Sequence, residues 1–470
     1  MQKLSGKSLL LVSFTLFSMF FGAGNLIFPP HLGAQAGTSL WPAFAGLAVS
    51  AVGLPIAGVT AVARAGGLDR LAGRVHPVFA TVFTILVYLS IGPCLAIPRT
   101  ASTSFQMLVP LIGGGSGLQL AYSVLFFAAA FLVALRPEKL TNWLGRILCP
   151  SLILLIVVLF AGCLAHPLAA YYGAPSAEYA ALPTVQGILH GYQTMDTLAG
   201  LNFGAVIALN IQARGVTESR AVESGTIRAG LLAGGLLLAV YAMLSHAGAQ
   251  TGAVYPGLAT GAEVLTALAQ QLFGRAGLVL IAAIFVIACF NTCVGLIACV
   301  GQYFHQLLPR IPYPALAAFF AAASMLVSNL GLAAIIRLST PVLNAIYPAA
   351  IVLILLSFLP GLEQRRAVYP LCVGLTALQS IAAALPLGAL SAVANALPLG
   401  SIGFGWVLPA LAGLAGGIEV SGSLYRVMEG FSPGYGFDGI PVAMMAHGNP
   451  IAIFFSAFLL GAMRNGALAM

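Results

Sequence analysis

Two interruptions in otherwise apolar segments carry the polar groups best suited to bind a small ligand. The first reads Gly22-Ala23-Gly24-Asn25 and is followed by Pro29-Pro30. Glycine costs about 1 kcal/mol relative to alanine inside a helix, and proline cannot donate the helical hydrogen bond. The pattern predicts a broken membrane helix, which is tolerated only where the freed amides and carbonyls face protein, a cavity or a ligand. We interpret the partner as a ligand, and a glycine packing face with a proline kink is the alternative.

The second interruption runs from Gln193 to Gly200 and contains the acid Asp196. Asp196 is the only acid predicted to lie near the middle of the membrane in the first 400 residues. A charge at that depth costs at least about 2.5–3.5 kcal/mol, so it needs a partner. Asp196 could be a cation ligand, a proton carrier or the ion-pair partner of Arg99 or Arg337. Either arginine could instead line an outer gate, or extend its charged end to the membrane interface. We favour a carboxylate that accepts freed backbone amides and fixes the unwound geometry.

The ends of such half-helices supply two kinds of binding group. Freed amides at a half-helix N-terminus suit a carboxylate, whereas freed carbonyls at a C-terminal end suit Na⁺. In the eighth apolar segment, Asn291-Thr292 offers side-chain oxygens that would complete a cation cage, and hydrogen bonds between helices are the alternative. The side chains that could wall an aliphatic pocket, or else pack as ordinary helix neighbours, are Phe20, Phe21, Met195 and Leu198. The Tyr88 hydroxyl is a further candidate to contact substrate.

The composition is that of a helical membrane protein. Of the 470 residues, 60% are hydrophobic and 6% are charged, against about 25% charged residues in soluble proteins. Long unbroken apolar runs exclude a transmembrane β-barrel. The net charge of +8 comes from basic residues spread singly over short loops, which indicates membrane topology and no nucleic-acid partner. Phosphate-binding, nucleophile-elbow and zinc motifs do not occur in the sequence, so we expect no enzyme activity and no cofactor besides a coupling ion.

Apolar segments predict about twelve transmembrane helices. Their approximate positions are 8–35, 41–63, 77–108, 118–135, 143–165, 184–211, 226–250, 275–307, 313–328, 331–359, 368–392 and 401–420. The interruptions fall in spans one and six, which run in opposite directions, so two five-helix halves form a predicted inverted repeat with substrate and ion between the broken helices. The first repeat covers about residues 8–165, the second about 184–359, and helices 11 and 12 about 368–420.

The distribution of basic residues predicts the orientation. With the N-terminus inside, fourteen of the nineteen basic residues lie in inner loops, whereas outer loops contain only Arg275. Positive residues favour the cytoplasmic side, so a cytoplasmic N-terminus is expected. The first apolar run continues past Pro30 into a second helical segment, which indicates an uncleaved first span. The outer connection at residues 255–274 has a helical pattern, which predicts either a helix over the outer mouth or a helix in a surface loop.

Three motifs resemble those of the bacterial branched-chain amino acid:cation symporter family. They are Ser18-Met-Phe-Phe-Gly-Ala-Gly-Asn25-Leu-Ile-Phe-Pro-Pro30, Gly92-Pro93 through Ile97-Pro98-Arg99-Thr100, and Gly191-Tyr-Gln-Thr-Met-Asp196. The resemblance covers about residues 5–410. It implies a LeuT-like fold of the APC superfamily and import of leucine, isoleucine and valine with Na⁺ (or H⁺) by alternating access. It also implies a multi-pass protein embedded in the lipid of the bacterial inner membrane.

The resemblance and the two breaks together define a candidate site. The expected substrate-binding residues are Phe21, Gly22, Ala23, Gly24, Asn25, Thr194, Met195, Asp196, Thr197 and Leu198. The family pattern implies Na⁺ ligation by the carbonyls of Ser18 and Phe21, with Ala288, Asn291 and Thr292 completing the shell. The family usually has two adjacent hydroxyl residues in span eight, and Asn291 replaces the first of them. An amide oxygen can ligate Na⁺, but the replacement leaves the coupling strength and the choice of cation open.

The sequence from about Leu411 has a different resemblance. Residues 414–422, 429–440 and 448–450 are similar to the membrane subunit of ABC importers for nucleosides or simple sugars. We therefore interpret residues 1–410 as the transporter domain and residues 411–470 as the C-terminal segment of a chimeric chain. Residues 451–463 are short for a span, so this stretch is expected to be re-entrant or part of a thirteenth span that starts near Pro441.

Other functions stay open at the level of sequence. An ABC importer subunit would be supported by the C-terminal segment alone, and a channel would need a continuous polar pore. Another amino acid/cation symporter of the same fold would keep both broken helices. The sequence does not indicate a preference among leucine, isoleucine and valine, the stoichiometry or the oligomeric state.

Overall fold

The computed structural model describes residues 4–136, 141–385 and 388–420, and every regular element in these ranges is a helix. The first nine α-helices are α1 Gly6–Phe20, α2 Ala23–Ala36, α3 Leu40–Ala48, α4 Leu54–Ala65, α5 Leu68–Gly73, α6 Pro77–Leu89, α7 Ala96–Ile112, α8 Ser116–Ala134 and α9 Cys149–Ala165. The next seven are α10 Ala177–Ala181, α11 Pro183–Tyr192, α12 Asp196–Gln212, α13 Ser219–Val254, α14 Gly261–Leu307, α15 Tyr313–Ser328 and α16 Leu332–Ser357. The last three are α17 Val368–Ala384, α18 Ala389–Asn395 and α19 Val407–Glu419.

Within those ranges, a helix or a pair of helices occupies each of the twelve predicted spans. Seven helical stretches are long and apolar enough to cross a membrane, and the bent pair α11–α12 makes an eighth. The apolar helices α1, α15, α17 and α19 are shorter and lie at the other predicted positions. The expected outer helix is present as the start of α14, which bends at Gly274 (φ +56°, ψ −134°), a conformation that is open mainly to glycine.

The two broken spans pack on their neighbours in matching ways. Both halves of span one, α1 and α2, contact α13, which is span seven. Both halves of span six, α11 and α12, contact span two, which consists of α3 and α4. An inverted repeat exchanges spans one and six and also spans seven and two, so each pairing is the image of the other. The predicted five-plus-five arrangement is therefore confirmed.

Small residues let the paired helices approach backbone to backbone. A methyl carbon added to Gly248 of α13 would collide with the Pro30 carbonyl of α2. One added to Gly187 of α11 would collide with the Ala43 carbonyl of α3. Membrane helices associate through such close packing because the hydrophobic effect does not drive helix association in lipid, whose tails are as apolar as the helices. These contacts hold the half-helices of both broken spans against continuous neighbours.

The C-terminal helices attach to the second repeat. α17 packs on α16, and α19 packs on α17, where Gly413 and Gly417 face the main chain of Cys372 and Val368. The predicted domain boundary near residue 410 lies inside α19. The predictions of an ABC-like tail and of a re-entrant or thirteenth helix mainly concern residues 421–470, which lie outside the described ranges.

Candidate functional site

The break in span one is narrower than predicted and is set by a side chain. Phe21 (φ −74°, ψ 89°) and Gly22 (φ −126°, ψ −154°) leave the helical conformation. The Gly22 N–H donates to Asn25 Oδ1 at 3.2 Å, so α2 starts at Ala23 and includes Gly24 and Asn25 in its first turn. The predicted break over residues 22–25 is therefore corrected to Phe21–Gly22, because Asn25 caps the new helix.

The same break releases a main-chain carbonyl. In a continuous helix the Gly22 N–H would bond to the Ser18 carbonyl, four residues earlier. Because this N–H bonds to Asn25 instead, the Ser18 carbonyl is free of that partner, and it accepts the Thr292 hydroxyl at 3.5 Å. The Thr292 side chain lies so close to the break that a methyl carbon on Gly22 would be 2.6 Å from Thr292 Oγ1. Glycine at position 22 is thus needed for this approach.

The break in span six lies between Tyr192 and Asp196. The axes of α11 and α12 differ by 48°, and Met195 adopts the left-handed conformation (φ +67°), which costs a non-glycine residue about 1–3 kcal/mol. The Thr194 hydroxyl donates to the Gly191 carbonyl at 2.8 Å and accepts the Asp196 N–H at 3.4 Å. The predicted break over residues 193–200 is therefore corrected to 193–195, since α12 is helical from Asp196 onward.

Side chains join the two breaks directly. The Asn25 amide donates to the Asp196 carboxylate and to the Tyr241 hydroxyl. Tyr241, on α13, donates in turn to the same carboxylate oxygen at 3.1 Å. All three residues are buried. The prediction that the Asp196 carboxylate accepts freed backbone amides is corrected, because its partners are the side chains of Asn25 and Tyr241.

Sequence reasoning missed Tyr241. The only local signal is the single hydroxyl in the otherwise apolar stretch of span seven from Ala229 to Leu244. Its partner lies 216 residues earlier in the chain, on Asn25. A contact of this kind depends on how span seven packs along span one, and residue spacing in the sequence does not reveal that packing.

Arg99 lies beside both breaks and is 4% exposed. Its Nη1 donates to the Gln193 carbonyl at 3.1 Å and its Nη2 to the Thr194 carbonyl at 3.4 Å. The guanidinium carbon is 5.9 Å from the centre of the Phe28 ring. Among the described residues Arg99 forms no ion pair within 4 Å, so the alternative of a direct Asp196–Arg99 ion pair is not observed. Arg337, the other candidate partner, is exposed on α16.

A small cavity lies between the breaks. Its volume is about 20 Å³, which admits about one water molecule. Its lining residues are Met19, Phe20, Gly22, Ala23, Gly24, Asn25, Ile91, Ala96, Arg99, Thr100, Thr194, Met195, Asp196, Ala199, Phe203, Thr292 and Leu296. An amino acid as large as leucine can enter only if these walls separate.

Seven of the ten predicted substrate-binding residues line this cavity, and three lie outside its lining. The Phe21 ring stacks on Phe17 with centroids 5.2 Å apart. The Thr197 hydroxyl donates to the Ser50 carbonyl at 3.3 Å, and Leu198 is buried. Tyr88 also lies away from the central cavity, where its ring stacks on Tyr303 with centroids 4.0 Å apart.

Of the five predicted ion ligands, the structure brings the Ser18 carbonyl and the Thr292 hydroxyl into contact, at 3.5 Å. Ala288 is fully buried one turn before Thr292 on α14, so the two share a helix face. Asn291 is also fully buried, and neither atom of its amide has a hydrogen-bond partner among the described residues. The Ser18 hydroxyl donates to the Leu144 carbonyl at 3.3 Å. Carbonyl, hydroxyl and amide oxygens of this kind suit a hard cation.

A second, larger cavity of about 470 Å³ lies on the predicted inner side. Residues from spans two, three, six, seven and eight line it, among them Gly66, Tyr88, Gln212, Thr226 and Tyr303. The cavity thus lies between span three and span eight on one side and spans two, six and seven on the other. It is wide enough to hold a small ligand.

The chain is similar to known permeases along most of its length. A family model described as branched-chain amino acid transport protein matches residues 5–421. The branched-chain amino acid permease BraB of Bacillus subtilis (strain 168) is 40% identical over 419 residues, which are 87% of this chain and 94% of that protein. The branched-chain amino acid transport system 2 carrier protein of Pseudomonas aeruginosa is 42% identical over 359 residues, which are 76% of this chain and 82% of that protein. The resemblance inferred from the motifs is confirmed, whereas the chimera interpretation gains no support from these relatives.

Solved structures of transporters share the fold. Mhp1, a nucleobase-cation-symport-1 family transporter in a closed conformation with bromovinylhydantoin bound, has a TM-score of 0.59 at 12% identity, covering 87% of this chain and 91% of that one. A Na⁺-coupled sialic acid symporter in a substrate-bound outward-open state has a TM-score of 0.55 at 14% identity, covering 88% and 89%. At these identities the likeness concerns the fold alone.

Proposed function

Because the chain belongs to the family of branched-chain amino acid transport proteins, we propose that it is a secondary active symporter that imports leucine, isoleucine and valine together with Na⁺. The observation that carries the proposal is the meeting of the two broken spans at one buried set of side chains, in which Asn25 joins Asp196 and Tyr241. Two helices interrupted at the same place, with polar groups turned to a shared cavity, are the arrangement in which secondary transporters hold substrate and ion.

The cavity lining supports an aliphatic amino acid as substrate. Met19, Phe20, Ile91, Phe203 and Leu296 supply apolar wall, and the rings of Phe20 and Phe203 meet edge to face with centroids 5.0 Å apart. Burial of an aliphatic side chain of this size contributes about 1.5–3 kcal/mol. The remaining lining carries the charged and polar groups that an amino acid's carboxylate and ammonium groups need. Leucine, isoleucine and valine each have an aliphatic side chain for the apolar wall and carboxylate and ammonium groups for the polar part of the lining.

Transport requires the walls of the central cavity to move. The central space of about 20 Å³ cannot hold leucine, whereas the inner cavity has about 470 Å³. Movement of spans one, two, six and seven relative to spans three and eight would open the central site to either side in turn. The half-helix junctions at Phe21–Gly22 and at Gln193–Met195 are the places where the chain can bend at least cost, because the helical hydrogen bonds are already interrupted there.

The coupling ion is proposed to bind beside the first break. The carbonyls of Ser18 and Phe21, with oxygens of Ala288, Asn291 and Thr292, would surround Na⁺. The Ser18 carbonyl, which accepts a long hydrogen bond of 3.5 Å from Thr292, and the unpartnered Asn291 amide support this set. A buried polar atom without a partner, such as those of Asn291, costs free energy that a cation would recover. A proton is the alternative coupling ion. The N-terminus is proposed to face the cytoplasm across a bacterial inner membrane.

Ion-gradient-driven uptake in proteoliposomes tests the proposal. We expect an inward Na⁺ gradient to accelerate uptake of radiolabelled leucine, unlabelled isoleucine and valine to compete, and lysine and glutamate not to compete. An inward K⁺ gradient of the same size is the matched control, and an inward proton gradient without Na⁺ tests the alternative ion. A leucine uptake rate that is unchanged by every ion gradient would exclude symport. Uptake that requires added ATPase subunits and ATP would instead favour an ABC importer.

A further inference from the structure

Arg99 is a buried cation that lacks an acidic partner in the described part of the chain. Its side chain is 4% exposed, and no carboxylate oxygen lies within 4 Å of it among the described residues. A guanidinium has five N–H donors. Two main-chain carbonyls, those of Gln193 and Thr194, accept from Nη1 and Nη2, and Nε is buried with no hydrogen-bond partner. A charge in this condition is unfavourable unless a further anionic or acceptor group reaches it.

The guanidinium faces the space where the substrate is proposed to bind. Arg99 lines the central cavity together with Gly24 and Asp196. A methyl carbon on Gly24 would be 2.8 Å from Arg99 Nη2, so the guanidinium packs against the first turn of α2. The cavity therefore contains one cationic and one acidic side chain, and they are not ion-paired to each other.

The break amides with observed partners are poorly placed to bind a carboxylate. The Gly22 N–H already donates to Asn25 Oδ1, and the Asp196 N–H already donates to Thr194 Oγ1. These are the N-cap amide of α2 and the first amide of α12, two of the donors at which an anion was expected. A carboxylate that entered the cavity would find the Arg99 guanidinium as a donor with both charge and spare N–H groups, and such charge-assisted bonds are the stronger kind.

We propose that Arg99 binds the carboxylate of the transported amino acid. The proposal rests on the proposed function, because it needs an amino acid in the central cavity. Asp196 gives the substrate's ammonium group a partner of opposite charge in the same lining. The site then recognises the zwitterion by one arginine and one aspartate, and the apolar walls recognise the side chain.

A purely structural role for Arg99 is the competing explanation. Its bonds to the Gln193 and Thr194 carbonyls place a cation at the C-terminal end of α11, where a cation is favourable. Both roles predict damage when Arg99 is replaced. They differ in whether the damage depends on the ligand's carboxylate, so the experiment compares leucine with leucinamide, which has the same side chain and amine but an uncharged amide.

The test measures the affinities of both ligands for purified, full-length protein. We expect the parent to bind leucine on the order of 100-fold more tightly than leucinamide, since a charge-assisted contact is lost. In Arg99→Gln, leucine affinity should fall to nearly that of leucinamide, whose own affinity should change little. Arg337→Gln, the same change at an exposed arginine, is the matched control and should keep the parent ratio. An equal loss for both ligands, with the ratio unchanged, would overturn the proposal.

A second measurement, made on the parent protein, tests the proposal even if Arg99→Gln does not fold. Dipolar-coupling NMR on the parent, with leucine labelled at the carboxyl carbon and arginine labelled at the guanidinium nitrogens, is expected to give a carbon–nitrogen distance of about 4 Å, as a direct charge-assisted bond requires. Absence of this coupling in leucine-saturated protein would overturn the proposal. A parent that binds no leucine at all would instead overturn the proposed function, so the two failures are distinct.

Discussion

Gly24→Ala is a single-methyl test of the central site. The added carbon would lie 2.8 Å from Arg99 Nη2, 3.2 Å from the Thr194 Cα and 3.3 Å from the Thr194 carbonyl oxygen. Arg99 is the far end of a flexible side chain and can retreat, whereas Thr194 belongs to the main chain of the second break. The expected result is that Arg99 moves away from Thr194 and that the two broken spans are held slightly further apart.

Gly24→Ala should have separate effects on folding stability and on leucine uptake. Gly24 lies inside α2, so alanine should contribute about 1 kcal/mol of helix propensity. Loss of the bond from the charged Arg99 to the Thr194 carbonyl should cost about 1.5–3 kcal/mol. The net cost to folding is therefore about 0.5–2 kcal/mol, which thermal unfolding can measure separately from uptake. Substrate binding loses the positioned guanidinium without any compensation, so leucine uptake should fall by about 10- to 100-fold, which corresponds to about 1.4–2.8 kcal/mol.

The assay is the initial rate of leucine uptake in proteoliposomes, normalised to reconstituted protein, with thermal unfolding of the purified protein as the measure of folding. Gly235→Ala is the matched control, because Gly235 is a helical glycine of α13 whose added carbon would meet no atom within 4 Å. This control should transport like the parent. If Gly24→Ala also transports within about twofold of the parent, equivalent to about 0.4 kcal/mol, the contact of Gly24 with Arg99 and Thr194 does not constrain the site and the reasoning is refuted.

Three further predictions concern the ion, the buried carboxylate and the C-terminal residues. Thr292→Ala removes a hydroxyl that contacts the Ser18 carbonyl. It should raise the Na⁺ concentration for half-maximal uptake by about tenfold, which corresponds to about 1.4 kcal/mol, whereas Asn291→Thr should lower that concentration. An unchanged Na⁺ dependence in both variants would place the ion elsewhere. Tyr241→Phe removes a hydrogen bond worth about 1.5–3 kcal/mol to the Asp196 carboxylate, so thermal stability and uptake should both fall, and normal values for both would contradict the observed contact. A chain ending at Gly422 should keep Na⁺-driven leucine uptake per inserted molecule, since both breaks and all ten spans of the two repeats precede residue 360. Complete loss of uptake with intact insertion would give the tail a part in transport.

The positions of both breaks could be predicted because their signals are local. Two glycines followed by two prolines, and a single acid in an apolar run, are each improbable inside a membrane helix. Their extents could not be predicted, because each depends on one side-chain bond. Asn25 caps α2 through the Gly22 N–H, and Thr194 accepts the Asp196 N–H. Both bonds restart the helix several residues earlier than composition suggests.

The partners of Asp196 show why contacts are harder to predict than elements. Sequence reasoning placed the carboxylate at freed backbone amides, with an arginine ion pair as the alternative. In the fold, the Asp196 carboxylate accepts hydrogen bonds from the side chains of Asn25 and Tyr241, because spans one, six and seven meet there. Arg99 lies close by but bonds to main-chain carbonyls. Charge and depth could identify both ionisable residues as functional candidates, but their observed partners depend on how spans one, three, six and seven pack.

The two glycines of the first break suggest how ion and substrate are coupled. Gly22 makes room for Thr292 of span eight, and Gly24 makes room for Arg99 of span three. On the proposed function, Na⁺ at Ser18 and Thr292 would tie the inner side of the break to span eight, and a carboxylate on Arg99 would tie its outer side to span three. Each ligand then favours the same closed approach of span one to the other two, so binding of either should strengthen binding of the other by an equal factor. Leucine affinity measured against Na⁺ concentration, and Na⁺ affinity measured against leucine concentration, should therefore shift by the same factor, and Gly24→Ala should reduce both shifts together.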